Sequence, residues 1–186
     1  MQSRTYSLYI SSSHILFNRM RILNASPEFG SQLTEAEVKH FLGNNKLNIH
    51  IGTIDNKGDP NIHPTWYYYD ESTNKLYIET SKRSKKIANL GLKRNNIVYY
   101  CVDDPNPPYK GVRGKGKAKI CEDVNYNVPI AEKIMVKYLG SLAHPMAAAL
   151  MSRIRDGDSV ILEVSPNYYS TWDYSSNGKK NNKSTR

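Results

Sequence analysis

The chain has 186 residues and a mean hydropathy of −0.63, with 26 lysines and arginines against 17 aspartates and glutamates, a net charge of +9. That length suits one domain, and no stretch approaches the roughly 18 consecutive apolar residues of a membrane span. Cys101 and Cys121 have neither C-x-x-C spacing nor the density of a disulfide framework, so a zinc ribbon and a disulfide-stapled scaffold are excluded and a reducing, cytoplasmic setting is expected.

The charge is unevenly spread. Residues 1–24 hold Arg4, Arg19 and Arg21 without an acid, residues 175–186 hold Lys179, Lys180, Lys183 and Arg186 without an acid, and residues 25–174 carry 19 basic against 17 acidic groups. A nucleic-acid partner, which +9 would suggest, is therefore disfavoured for the body. The stretch around Ile15-Leu16-Phe17 is broken by polar residues and is not a signal peptide, Ser26-Pro27-Glu28-Phe29-Gly30-Ser31 reads as linker sequence left by cloning, and Met20 reads as an alternative start. The expected organisation is an N-terminal extension over 1–31, disordered or cloning-derived and without a role in the fold, a domain over 32–174, and a basic flexible tail over 175–186.

Thr34 with Glu37 three residues on is a capping box, and Val38, Phe41 and Leu42 share one face of the helix it starts, with Gly43 as its stop. Leu47, Ile49, Ile51 and Thr53 alternate with polar neighbours, the turn residues 55–60 follow, and a second strand is expected from Ile62 to Tyr69. A third strand over 75–80 completes an expected three-stranded antiparallel meander. A helix with Ile87, Leu90 and Leu92 on its apolar face comes next, then strands over 97–102 and 109–121. In the second of these, Val112, Gly114, Gly116, Ala118 and Ile120 fall on one face and Arg113, Lys115, Lys117 and Lys119 on the other. Helices over about 127–139 and 144–154 and strands over 159–164 and 168–174 close the chain. The class expected is mainly β, a small antiparallel barrel of six or seven strands with a few helices.

One constellation carries chemistry. A strand ends in Thr80, and Ser81-Lys82-Arg83-Ser84-Lys85-Lys86 opens the next helix, which gathers hydroxyls, ammonium groups and unpaired backbone N–H donors as a phosphate site does. A single helix-end charge interaction is worth about 0.3–1 kcal/mol when exposed, so several groups must converge, and Thr80, Ser84, Lys85 and Lys86 are the candidates. A Lys-rich first turn is also what a solvated surface looks like, although cations sit unfavourably at the positive end of a helix dipole.

The ordered set of pieces resembles the flavin-binding split-barrel proteins that include pyridoxamine 5'-phosphate oxidase and the deazaflavin-dependent oxidoreductases. The pieces are Ile51-Gly52-Thr53-Ile54-Asp55, Gly58-Asp59-Pro60, His63-Pro64-Thr65-Trp66-Tyr67, Leu76-Tyr77-Ile78-Glu79-Thr80, Arg83-Ser84-Lys85-Lys86 with Asn89-Leu90, Val102-Asp103-Asp104-Pro105, Pro108 to Gly114, and Ser170-Thr171-Trp172-Asp173. The resemblance spans about residues 33–174 and implies an FMN-binding split barrel. By that resemblance Ser84, Lys85 and Lys86 hold the flavin phosphate, with Arg83 in the same step and Thr80 and Glu79 at the strand end beside it. His63, Pro64, Thr65 and Trp66 would run along the isoalloxazine edge, and Trp172 would reach the flavin from a partner subunit, so the site requires a homodimer. A tryptophan in a strand is also ordinary core or interface packing.

The implied activity is hydride or electron transfer between the flavin and a small-molecule redox substrate, with the cofactor supplying the chemistry and no catalytic side chain assigned. After Trp172 the chain runs Asp-Tyr-Ser-Ser-Asn-Gly-Lys-Lys, whereas pyridoxamine 5'-phosphate oxidases proper carry an Arg- and His-containing segment, so vitamin B6 oxidation is disfavoured. FMN is the first expectation for the cofactor and the deazaflavin coenzyme F-420 the second. Lys82, Arg83 and the row from Arg113 to Lys119 would suit the glutamates of the F-420 tail, or form a solvated strand face. Three other readings remain. One is a non-catalytic flavin or haem carrier. Another is a metal or haem site if His50 and His63 approach across the first hairpin. The third is an oligonucleotide-binding barrel using the tyrosines dense at 67–69, 99–100 and 168–169.

Overall fold

The computed structural model describes residues 20–92 and 96–175. Arg4, Arg19 and the basic residues from Lys179 onward lie outside that range, and so does the side chain of Leu92. The described residues form strands β1 (Ile22–Asn24), β2 (Ile49–Ile54), β3 (Pro60–Thr65), β4 (Tyr68–Asp70), β5 (Lys75–Ser81), β6 (Ile97–Asp103), β7 (Lys110–Cys121), β8 (Ser159–Pro166) and β9 (Tyr169–Asp173). The helices are α1 (Glu35–Asn44), α2 (Lys85–Leu92), α3 (Val124–Leu139) and α4 (Pro145–Arg155).

The mainly-β reading holds, with seven strands on an antiparallel main path as expected and β1 and β9 joined to the sheet off that path. Its main path runs β3-β2-β6-β7-β8-β5-β4, antiparallel at every step. On the edge opposite β6 the twelve-residue β7 serves two partners, β9 along Lys110–Arg113 and β8 along Gly116–Cys121. Gly114 and Gly116 lie where it passes from one to the other. A Cβ on Gly114 would meet the Tyr168 carbonyl and the Tyr100 hydroxyl, and one on Gly116 would come within 2.6 Å of the Ser165 carbonyl.

Three expectations are corrected. The meander does not form, because the second strand breaks at Trp66-Tyr67: the Tyr67 N–H donates to the Tyr138 hydroxyl at 3.3 Å, and β4 and β5 make a separate hairpin whose other neighbour is β8. Residues 20–31 do take part in the fold. β1 pairs β9 in parallel, the Ala25 N–H donates to the Thr171 carbonyl, Ser31 and Asp173 exchange backbone bonds, and Met20 is buried in the core. β1 is thus drawn from the extension over 1–31 that was expected to have no role in the fold. Finally, α1 runs past Gly43 to a cap at Asn45, although its capping box at Thr34 and Glu37 forms as read.

The apolar residues divide into two groups. Val38, Ile49, Ile51, Leu76, Val98 and Leu162 fill the interior between the sheet, α1 and α2. Tyr77 and Ile161, on the opposite face of β5 and β8, are covered by Ile134, Met135, Met151 and Ile154 of α3 and α4. The end of β2, with His63 of β3 beside it, lies close to the end of β5 and the start of α2.

Candidate functional site

β5 ends at Ser81, and the chain turns through a bend in which the Ser84 N–H donates to the Ser81 carbonyl and the Arg83 N–H to the Ser81 hydroxyl, both within 3.2 Å. The N–H groups of Ile87 and Ala88 both reach the Ser84 carbonyl, so those of Lys85 and Lys86 belong to the first turn of α2, which has no intrahelical acceptor to offer them. Lys86 Nζ donates to Thr80 Oγ1 at 2.9 Å, and Thr80 Oγ1 donates to Ser84 Oγ at 3.2 Å. Thr80 is buried, Ser84 and Lys86 are half-buried, and Arg83 and Lys85 are exposed. Lys82 is drawn away by Glu122, 3.0 Å from its ammonium.

The same spot receives two residues from the first hairpin. His63 Nε2 lies 3.4 Å from Thr53 Oγ1, which also accepts from Asn89 Nδ2 at 2.9 Å. Burial lowers the Lys86 pKa while Glu79 opposes that shift, and the His63 imidazole is lowered first by its own burial and then by the Lys86 charge. Asn89 is 2 % exposed, and its Oδ1 has no hydrogen-bond partner among the described residues. Thr53 and Asn89 were absent from the expected site. Their pattern, a polar residue at a core-facing position of a strand and another on the buried side of α2, is the signal that marks them.

Pro64, Thr65, Trp66 and Glu79 sit around the corner from this cluster, on the side covered by α3 and α4, where they line a cavity of about 310 Å³. The Trp66 indole stacks on Tyr138 with centroids 4.8 Å apart and planes 6° apart. Trp172 is elsewhere. It lies on the outer face of the sheet, over Gly111, where an added Cβ would fall on the indole, and 5.9 Å from the Arg113 guanidinium. β9 is separated from β3 by β7, β6 and β2, and neighbouring strands lie about 4.8 Å apart, so one protomer does not bring its own Trp172 to the other expected residues.

That outer face also carries Leu23, Ile62, Tyr99 and Arg113 around a groove of about 650 Å³. Ile62, on the edge strand β3, is 71 % exposed, and Tyr99, on β6 inside the sheet, 56 %. His50 shares the groove, 3.9 Å from Asp103. His63 pairs with Ile51 and not with His50, so the two histidines face opposite sides of the sheet and do not approach each other. Among the described residues no three of His, Cys, Asp and Glu cluster as a metal site, and no helix is long and apolar enough to cross a membrane.

Residues 34–173 match the family described as pyridoxamine 5'-phosphate oxidase. The chain belongs to that family. A conserved hypothetical protein from Mycobacterium tuberculosis superposes with a TM-score of 0.68 at 21 % identity, over 81 % of this chain and 91 % of the other. A structure described as an F420 reductase is 27 % identical with a TM-score of 0.53, over 70 % of this chain and 94 % of that one. A haem storage protein from Vibrio cholerae, 13 % identical with a TM-score of 0.56 over 75 % and 93 % of the two chains, shares the fold. No curated protein matches the chain.

Proposed function

We propose that this member of the pyridoxamine 5'-phosphate oxidase family is a homodimeric oxidoreductase that binds FMN through its phosphate at the start of α2. The observation that carries the reading is the convergence of Thr80, Ser84 and Lys86 on the two unpaired N–H groups of the first turn. Ser84 keeps its O–H and Lys86 two of its N–H bonds for an anion, Thr80 holds both in place through its own hydroxyl, and the ammonium is half-buried, where charge-assisted hydrogen bonds are strong. The donor set therefore fits a phosphate monoester. Exposed Lys85 and Arg83 add field from outside, and the His63 imidazole, held toward its neutral form, offers a polar edge without adding charge. The flavin, when bound, supplies the hydride or electron transfer; the protein's part is to hold the phosphate, border the ring with β3 and exclude water.

The dimer is supported by the outer face. Ile62, Tyr99 and Leu23 would be covered by a second copy, and Trp172, displayed on that same face, would be carried toward the partner's site. A second reading, F-420 in place of FMN, is supported by Arg113, Lys117 and Lys119, exposed along β7, and by the similarity to a protein described as an F420 reductase. An absorbance spectrum of the purified protein, followed by fluorescence titrations with FMN and with F-420, tests both. Saturable quenching by one of them supports that cofactor. Absence of binding by both overturns the oxidoreductase reading.

A further inference from the structure

The cavity behind β3 has a composition that the phosphate site does not explain. Its walls are Trp66, Ile134, Met135 and Leu150, and Glu79 is the one ionisable side chain among the residues that line it. Among the described residues Glu79 has no ion-pair partner within 4.0 Å. Lys86 feels its charge but gives its own hydrogen bond to Thr80. Half-buried and without such a partner among the described residues, the Glu79 carboxylate can meet a positive charge that a ligand brings, beside apolar walls that keep water from part of the site. Tyr138 takes one face of Trp66, and an indole is the best of the aromatic side chains at attracting a cation. The volume is at the small end of ligand pockets, which run from about 300 to 1,000 Å³, and suits a single ring.

We propose that this cavity binds a small, flat organic cation, such as an amidinium, a protonated arylamine or a protonated heteroaromatic ring. Its charged group meets Glu79, and its ring lies among Trp66, Met135 and Leu150. Because Pro64 and Thr65 border both the cavity and the strand assigned to the flavin ring, this cation is the substrate class of the oxidoreductase, an assignment that rests on the flavin reading. The binding itself does not.

Calorimetric titration of the full-length protein with benzamidinium, benzamide and benzoate compares ligands of nearly one shape with charges of +1, 0 and −1. Benzamidinium is expected to bind at least tenfold more tightly than benzamide, and benzoate not measurably. Glu79→Gln should bring benzamidinium down to the level of benzamide. Equal binding of all three, no binding of any, or a folded Glu79→Gln protein that keeps the preference overturns the proposal. If that variant does not fold, the ranking of the three ligands on the unaltered protein decides alone. FMN titrated separately into the unaltered protein distinguishes the two claims. FMN binding without a preference for the cation leaves the cofactor reading and removes this one; a preference for the cation without FMN binding does the reverse.

Discussion

Replacing Lys86 by methionine should weaken FMN binding while leaving the unliganded protein as stable as before or more so. The Lys86 ammonium is half-buried, makes one hydrogen bond, to Thr80 Oγ1 at 2.9 Å, and has its pKa lowered by that burial. A folded-state pKa below the unfolded value means that the charged group opposes folding at neutral pH. The opposition fades as pH rises toward the unfolded lysine value of about 10.4, so any gain in stability from methionine should be largest near pH 7. Toward a phosphate the balance reverses: a charge-assisted hydrogen bond of about 1.5–3 kcal/mol is lost, roughly a ten- to hundredfold weaker dissociation constant. Lys85 is exposed, and Lys85→Ala should cost less than about 1 kcal/mol, under about fivefold. Riboflavin has no phosphate, so its affinity should not change in either variant. Fluorescence-quenching titrations with FMN and riboflavin, together with thermal melts, measure all of this. Equal losses for riboflavin and FMN, or a larger loss at Lys85 than at Lys86, would refute the placement of the phosphate.

Other consequences are equally accessible. Ile62→Asp combined with Tyr99→Asp should convert the proposed dimer to a monomer in sedimentation equilibrium without lowering the monomer's melting temperature; a protein already monomeric without these changes refutes the interface. Glu163, 7 % exposed, accepts from Lys75 at 2.7 Å and from Tyr126 at 2.7 Å, and those bonds hold its carboxyl below the usual range against the effect of burial. Lys75→Met should therefore cost about 1.5–3 kcal/mol at pH 7. Stability from a depressed carboxylate is present above the unfolded pKa of about 4.3 and disappears as pH falls through the folded one, so in urea titrations the gap between the two proteins should shrink toward pH 3. A gap that stays constant contradicts the assignment. Lys137 lies 3.6 Å from the centre of the Tyr67 ring and donates to the Leu42 carbonyl, and burial pushes its ammonium down to about 8. Between that value and about 10.4 the unfolded chain holds the extra proton, so the unaltered protein should gain stability relative to Lys137→Met as pH rises from 8 to 10; a flat difference shows that the ring and the carbonyl offset the burial.

Much of the fold is legible because local chemistry and tertiary packing agree. The capping box of α1, the two-faced alternation of β7 and the hydroxyl-lysine step into α2 each state their structure within a few neighbouring residues. The failures come where a distant group decides. Nothing near Trp66-Tyr67 announces that the strand will break; the Tyr138 hydroxyl, seventy-one residues away from Tyr67, takes that N–H. Residues 22–24 read as an extension without a role in the fold because their partner, β9, lies at the other end of the domain. His50 and His63 looked like a pair in a hairpin, but register places them on opposite faces. Of the expected site residues, His63, Thr80, Ser84 and Lys86 come together at the start of α2, Pro64, Thr65, Trp66 and Glu79 line the cavity on the α3 and α4 side, and Trp172 lies apart from both. Thr53 and Asn89 were missed because their role appears only when β2 and α2 are brought together.

The clasp between β1 and β9 has a practical side. The strand that carries Trp172 is bonded on one side to β7 and on the other to residues 22–25, with Ser31 bridging to Asp173. Trimming the chain to start at residue 32, where its helical pattern begins, would leave β9 with a bare row of donors and acceptors, the kind of margin on which strands of other molecules assemble. Particles counted in such a shortened protein would then report strand addition along β9 rather than association through Ile62 and Tyr99, and the stoichiometry of the native assembly has to be measured with those residues in place.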